Sequence, residues 1–150
     1  MKTKRIYTTT RNIIFVVVTG IIVLSLSSCA TKAHFLSSTV VPAAEGTVKV
    51  KKDKNHNYVI AINVVNLAEP GKLQPPKNTY VVWMEGDNIE VKNMGQMKSS
   101  SSMLSKLLKG SFQTVSPNKP RKIFITAEDD PNIQFINNSN VVLTTDYLKK

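Results

Sequence analysis

The chain has 150 residues, 41% of them apolar and 20% charged, with a net charge of +10 and a single cysteine. That is one domain's length with a tail, and enough apolar residues for a packed core, which excludes a wholly disordered chain. One cysteine excludes an intramolecular disulfide and cannot by itself build a cysteine-based zinc site.

The first element is an export signal. Residues 1–12, MKTKRIYTTTRN, carry Lys2, Lys4, Arg5 and Arg11 and no acid, and the apolar run Ile13–Leu26 follows. A basic start, a short apolar stretch and small residues before a cut site define a secretory signal. A retained membrane helix is the alternative, but a span uses about 20 predominantly apolar residues, and here the uncharged window ends in Ser and Thr. Leu26-Ser27-Ser28-Cys29 resembles the lipobox of bacterial lipoproteins. The resemblance implies cleavage between Ser28 and Cys29, diacylglycerol on the Cys29 thiol and an acyl chain such as palmitate on the new amine. Two or more acyl chains hold a protein firmly where one holds marginally. Ala30 follows, where an aspartate would mark inner-membrane retention in enteric lipoproteins, so either membrane is open. Without the signal, 16 basic residues stand against 10 acidic ones.

Residues 29–44 contain no sustained period and read as a lipidated N-terminus and flexible tether, which as a coil spans roughly 20–25 Å. The domain is expected over 45–150, and to fold without residues 1–43. In GTVKVKK, Val48 and Val50 alternate with Lys49 and Lys51, and in YVIAINVV, Tyr58, Ile60, Ile62 and Val64 share a face. These predict two strands of a hairpin joined by the polar turn DKNHN. The breakers Pro70-Gly71 and Pro75-Pro76 make 66–78 a long connection. TYVVWME is apolar on both faces, as a central, doubly covered strand would be, and EGDN is a turn. Short extended pieces follow in IEVKNMGQM.

Between 99 and 107 both helix and strand are open. Met103, Leu104, Leu107 and Leu108 fit a helical stripe capped by Ser101 or Ser102, whereas Leu108, Gly110, Phe112 and Thr114 alternate as a strand. RKIFITAED predicts a strand with Ile123, Ile125 and Ala127 on one face, and VVLTT closes the chain after two turn-rich segments. Seven or so short strands with turns every 8–12 residues predict an all-β fold, an antiparallel β-sandwich.

PPKNTYVVWMEGD, the glycine ending KNMG, the strand FITAEDDP and the terminal VVLTT resemble the extracytoplasmic domain of anti-sigma-K factors over about residues 46–145. Tyr80 and Trp83 stand at the Tyr-x-x-Trp strand of that family, Thr126 and Glu128 at its Thr-x-Glu. The resemblance implies a small antiparallel immunoglobulin-like β-sandwich on the outer side of a membrane. Those factors place a cytoplasmic sigma-binding domain ahead of a membrane helix. Here 12 residues precede the apolar run, too few to fold.

No catalytic constellation stands out. Asp53-x-Asn55-x-Asn57 opens like a calcium loop, but Tyr58 occupies the glycine position and Val64 the closing glutamate position, so a polar turn is the better reading. Glu128-Asp129-Asp130 gathers three carboxylates that could bind calcium or do acid–base work. Met94, Met97 and Met103 could offer thioethers to Cu(I), although packing is the usual role of methionine. His34 and His56 lack neighbours at ligand spacing, and the serines lack a G-x-S-x-G elbow. Lys49, Lys51, Lys52 and Lys54 form a basic hairpin able to meet anionic headgroups or phosphate, or simply a solvated face.

The expected function is therefore that of a lipid-anchored envelope protein with a non-catalytic binding or structural sandwich and no cofactor. The alternatives are a sensor or regulatory component acting through a partner, and an envelope enzyme using Glu128–Asp130. Its expected partners are the membrane, through the anchor, and an envelope protein. Nucleic acid is not expected, since no aromatic platform accompanies the lysines.

Overall fold

A computed structural model describes residues 30–87, 89–101 and 108–148, Ile89 and Ser101 by their backbone alone. All nine strands of the described residues are antiparallel, in two sheets. They are β1 (Ala30–His34), β2 (Glu45–Lys52), β3 (Tyr58–Leu67), β4 (Thr79–Gly86), β5 (Ile89–Gln96), β6 (Lys98–Ser101), β7 (Leu108–Ser116), β8 (Pro120–Glu128) and β9 (Val141–Thr144). One sheet has the order β1-β2-β3-β7-β6, the other β5-β4-β8-β9. Setting β1 aside, this is the strand order of immunoglobulin-like sandwiches: A-B-E-D on one sheet, and C-F-G with one added strand beside C on the other. The expected all-β sandwich is the fold observed.

Alternation explains which residues lie inside. Val48 and Val50 on β2, Ile60, Ile62 and Val64 on β3, and Ile123, Ile125 and Ala127 on β8 point into one core with Tyr80, Val82 and Met84 of β4. Burial of each larger aliphatic side chain is worth roughly 1.5–3 kcal/mol against leaving it exposed. The turn between β2 and β3 is held by Asp53, whose Oδ1 accepts from the backbone N–H of Asn55 and Asn57 at 2.8 and 2.9 Å. The carboxylate is thus the organiser of a turn, as an Asx motif is, with His56 in the left-handed region at φ 65°.

Both corners of the sandwich are closed by chain that changes sheets, one of the ways a sandwich covers its edges. At one corner β5 runs through Met97 into β6. Asn93 and Gly95 lie at an irregularity opposite Val82 and Trp83, where Gly95 has φ 123°, a conformation side chains resist. Met97, buried, donates its N–H to the Tyr80 carbonyl at 2.9 Å and packs on Gly110, where an added Cβ would collide with its sulfur. At the other corner the chain leaving β1 pairs Phe35 with Thr145, and the Leu36 N–H donates to the Thr144 carbonyl at 2.8 Å.

That second corner corrects the tether. Residues 30–44 are not a flexible coil in the structure. Ala30–His34 pairs in register with Thr47–Lys51, Ser38 Oγ accepts from the N–H groups of Val40 and Val41, and Val41 and Ala44 enter the core. Among the described residues the sandwich already includes Ala30, the first of them, rather than starting at 45. A chain cut after residue 43 would lose an edge strand and the Phe35 corner. The segment read as open between helix and strand is a strand over Lys98–Ser101, and residues 102–107 lie outside the described residues. Among the described residues no helix is long and apolar enough to cross a membrane, and the run 13–26 lies outside them.

Candidate functional site

The two outer faces of the sandwich differ in kind. On the four-stranded sheet, β4 alternates Tyr80, Val82 and Met84 inward with Thr79, Val81 and Trp83 outward, yet all six are buried. Residues 129–140, the connection from β8 to β9, are tied back onto this face and form its roof, while Gln96 Nε2 donates to Thr79 Oγ1 at 2.8 Å. Asn93 on β5 fastens that roof: its Nδ2 donates to the carbonyls of Pro131 and Ile133 at 2.9 and 2.8 Å. Beneath it the Trp83 Nε1–H donates to Thr126 Oγ1 at 2.8 Å, both residues being fully buried. A buried indole needs such a partner, because an unpaired N–H in an apolar layer costs the full desolvation penalty. Tyr80 and Trp83, three apart on a strand, thus serve opposite faces. Tyr80 Oη donates to the Ala68 carbonyl at 3.0 Å, and burial pushes its pKa up to about 12.

The acidic loop is committed to building this roof. Glu128, buried, accepts from Asn140 Nδ2 on Oε2 at 2.8 Å, while its Oε1 has no hydrogen-bond partner among the described residues. Asp129 pairs with Lys77 at 2.8 Å. Asp130 Oδ1 accepts from the Asn132 N–H at 2.8 Å, which turns the chain into the roof. Three consecutive carboxylates therefore have three separate tasks, and they do not converge on one point. Phe135, in the roof segment, is 87% exposed.

The outer face of the five-stranded sheet has no roof among the described residues. Register places Ala30, Lys51, Val59 and Val115 in one row across it, Lys32, Lys49, Ala61 and Gln113 in the next, and His34, Thr47, Asn63, Ser111 and Lys98 in a third. Lys109 lies further along on β7. Glu45 is the acid that shares this face, at the far end of β2 from Ala30. Lys32 and Lys49 are direct cross-strand partners, a like-charge pair that costs stability. A shallow groove of about 380 Å³ runs here past Asn63, Gln96, Lys98, Ser111 and Gln113.

Of the hairpin lysines, Lys49 and Lys51 face outward, Lys52 turns over the Tyr58 ring at 5.8 Å, and Lys54 is exposed in the turn. Lys32 is hidden from view when 29–44 is taken as a tether; the signal that reveals it is the weak period two of ATKAH. Met97 is core and Met94 packs against it, while Met103 lies outside the described residues. His34 is exposed on β1 and His56 in the turn. Among the described residues no group of three or more His, Cys, Asp or Glu is placed to hold a metal ion. Leu26, Ser27, Ser28 and Cys29 lie outside the described residues, the first of which is the neighbour of Cys29.

Compared with family models, with curated proteins and with solved structures, the chain matches none.

Proposed function

We propose that this is a lipid-anchored protein of the bacterial envelope whose sandwich works by contact, as a binding or structural module. The observation that carries the reading is Leu26-Ser27-Ser28-Cys29 at the end of a basic, then apolar, N-terminus. Two features of the fold support it. The sandwich starts at the residue after Cys29, so an anchored thiol would hold the domain against the bilayer with no slack. The carboxylates of the 128–130 loop, the strongest candidates for acid–base chemistry, hold the roof instead.

The test is the N-terminus of the protein recovered from membranes. The expected species begins at Cys29 and carries the mass of acyl chains, and Cys29→Ala releases the chain from the membrane fraction. Recovery of a chain that keeps Met1 and an unmodified thiol would overturn the anchor.

A second reading, a sensor or regulatory component that signals through a protein partner, is favoured by Phe135. An almost fully exposed phenylalanine held on a fastened loop has the character of an interface anchor. A photo-crosslinking residue at position 135 should then capture a discrete envelope protein, and capture of none would count against it.

A further inference from the structure

We infer that the lysine-bearing outer face of the five-stranded sheet lies down on anionic lipid headgroups of the membrane that holds the anchor. The inference rests on the anchored reading of Cys29, and adds which surface of the domain meets the lipid.

Three observations carry it. First, the charge is one-sided. Lys32, Lys49, Lys51, Lys98 and Lys109 share the face with Glu45, whereas the ion pairs among the described residues, Lys72–Glu69, Lys77–Asp129 and Arg121–Asp87, all lie elsewhere. Second, the lysines crowd. Neighbouring strands are about 4.8 Å apart and alternate residues about 6.6 Å apart along a strand, so Lys32, Lys49 and Lys51 root within one headgroup's width of each other. An anion placed between Lys32 and Lys49 would turn an unfavourable cross-strand pair into a favourable triad. Third, the described residues are strand from Ala30 onward and include no flexible tether. Residue 29 is one peptide, about 3.8 Å, from Ala30, which pairs with Lys51. With acyl chains at residue 29, the nearest lysines are within about a Debye length of the headgroups, roughly 8 Å at physiological salt. The other face cannot play this part, since its own chain covers it.

Lysines near an anionic surface each add about fivefold to membrane affinity. The test uses the full-length protein, processed in cells and reconstituted into vesicles of neutral phosphatidylcholine, with or without phosphatidylglycerol. A Gln113→Cys variant carries a thiol-linked fluorophore on the face, and acrylamide, which is uncharged, serves as the quencher. Quenching should fall at least threefold on the anionic vesicles and recover in 0.5 M salt. It should also recover in the Lys32→Gln/Lys49→Gln/Lys51→Gln variant, which still floats with the vesicles. The unlabelled wild type gives a second readout that needs no new cysteine, lower reactivity of Lys32 and Lys49 toward acetylation on anionic than on neutral vesicles.

Equal quenching and equal acetylation on both kinds of vesicle would overturn the inference while leaving the anchor standing. Uptake of dye by the wild-type protein, whose only cysteine is Cys29, would overturn the anchor itself. Equal protection by a soluble anionic polysaccharide without vesicles would assign the face to a polymer and reject the lipid.

Discussion

The outer faces of the two sheets begin from the same rule, alternation, and end in opposite states. On β4 the outward residues are Thr79, Val81 and Trp83, and the chain spends residues 129–140 to roof them. On β2 the outward residues are Glu45, Thr47, Lys49 and Lys51, and none of the described residues lies over them as a roof. The difference lies in what each face would cost if left to water. An exposed Trp83 and Val81 would forfeit several kcal/mol of burial, while lysines on a strand lose nothing by being wet. A face that is cheap to leave open is one that can wait for a partner from outside the chain.

The covered face should be the more fragile. Trp83→Ala leaves a cavity under the roof and orphans the Thr126 hydroxyl, an expected loss of about 3–5 kcal/mol by urea titration. A loss near zero would mean that the roof does not seal. Between the sheets, Tyr80 links stability to alkaline pH. Its neutral form is favoured in the fold, with a pKa pushed up to about 12, against about 10 for an exposed tyrosine. Its contribution is whole below pH 10 and is lost as pH rises from 10 to 12, up to about 2–3 kcal/mol. A Tyr80→Phe variant should lack that part of the pH slope. Asn93→Ala frees the two carbonyls it holds, with an expected cost of about 1–3 kcal/mol and a red shift of the Trp83 emission as water reaches it. The smallest effect belongs to the open face. Lys32→Glu replaces a repulsive cross-strand pair with an attractive one, and should stabilise the isolated protein by about 0.2–1 kcal/mol. A destabilisation there would show that the lysines are tied into the fold.

The sequence made the closed parts of this molecule the easiest to read. Period two in GTVKVKK and YVIAINVV, and the all-apolar TYVVWME, mark the central strands and the double cover of β4 in the sequence itself. Two edge strands escaped for physical reasons. In Ala30–His34 the inward residues are Thr31 and Ala33, too small and mild to mark a period, and in Lys98–Ser101 the pairing with β7 is made by backbone that any serine supplies. The roof read only as turns, because its fastening is one distant asparagine, although Ile133 and Ile136 in so polar a stretch hinted at a buried side. The open face was half legible. The hairpin lysines were visible, but their neighbour Lys32 depended on the strand that was missed.

The most direct single measurement compares both faces at once in native envelopes, by mass-resolved lysine acetylation before and after detergent solubilisation. Lys32, Lys49 and Lys51 should be shielded in the envelope and become reactive on solubilisation, while Lys72, in the connection from β3 to β4, and Lys92, on β5 of the four-stranded sheet, should react alike in both. Equal labelling of all five before and after would contradict a sandwich that rests on its lysine face.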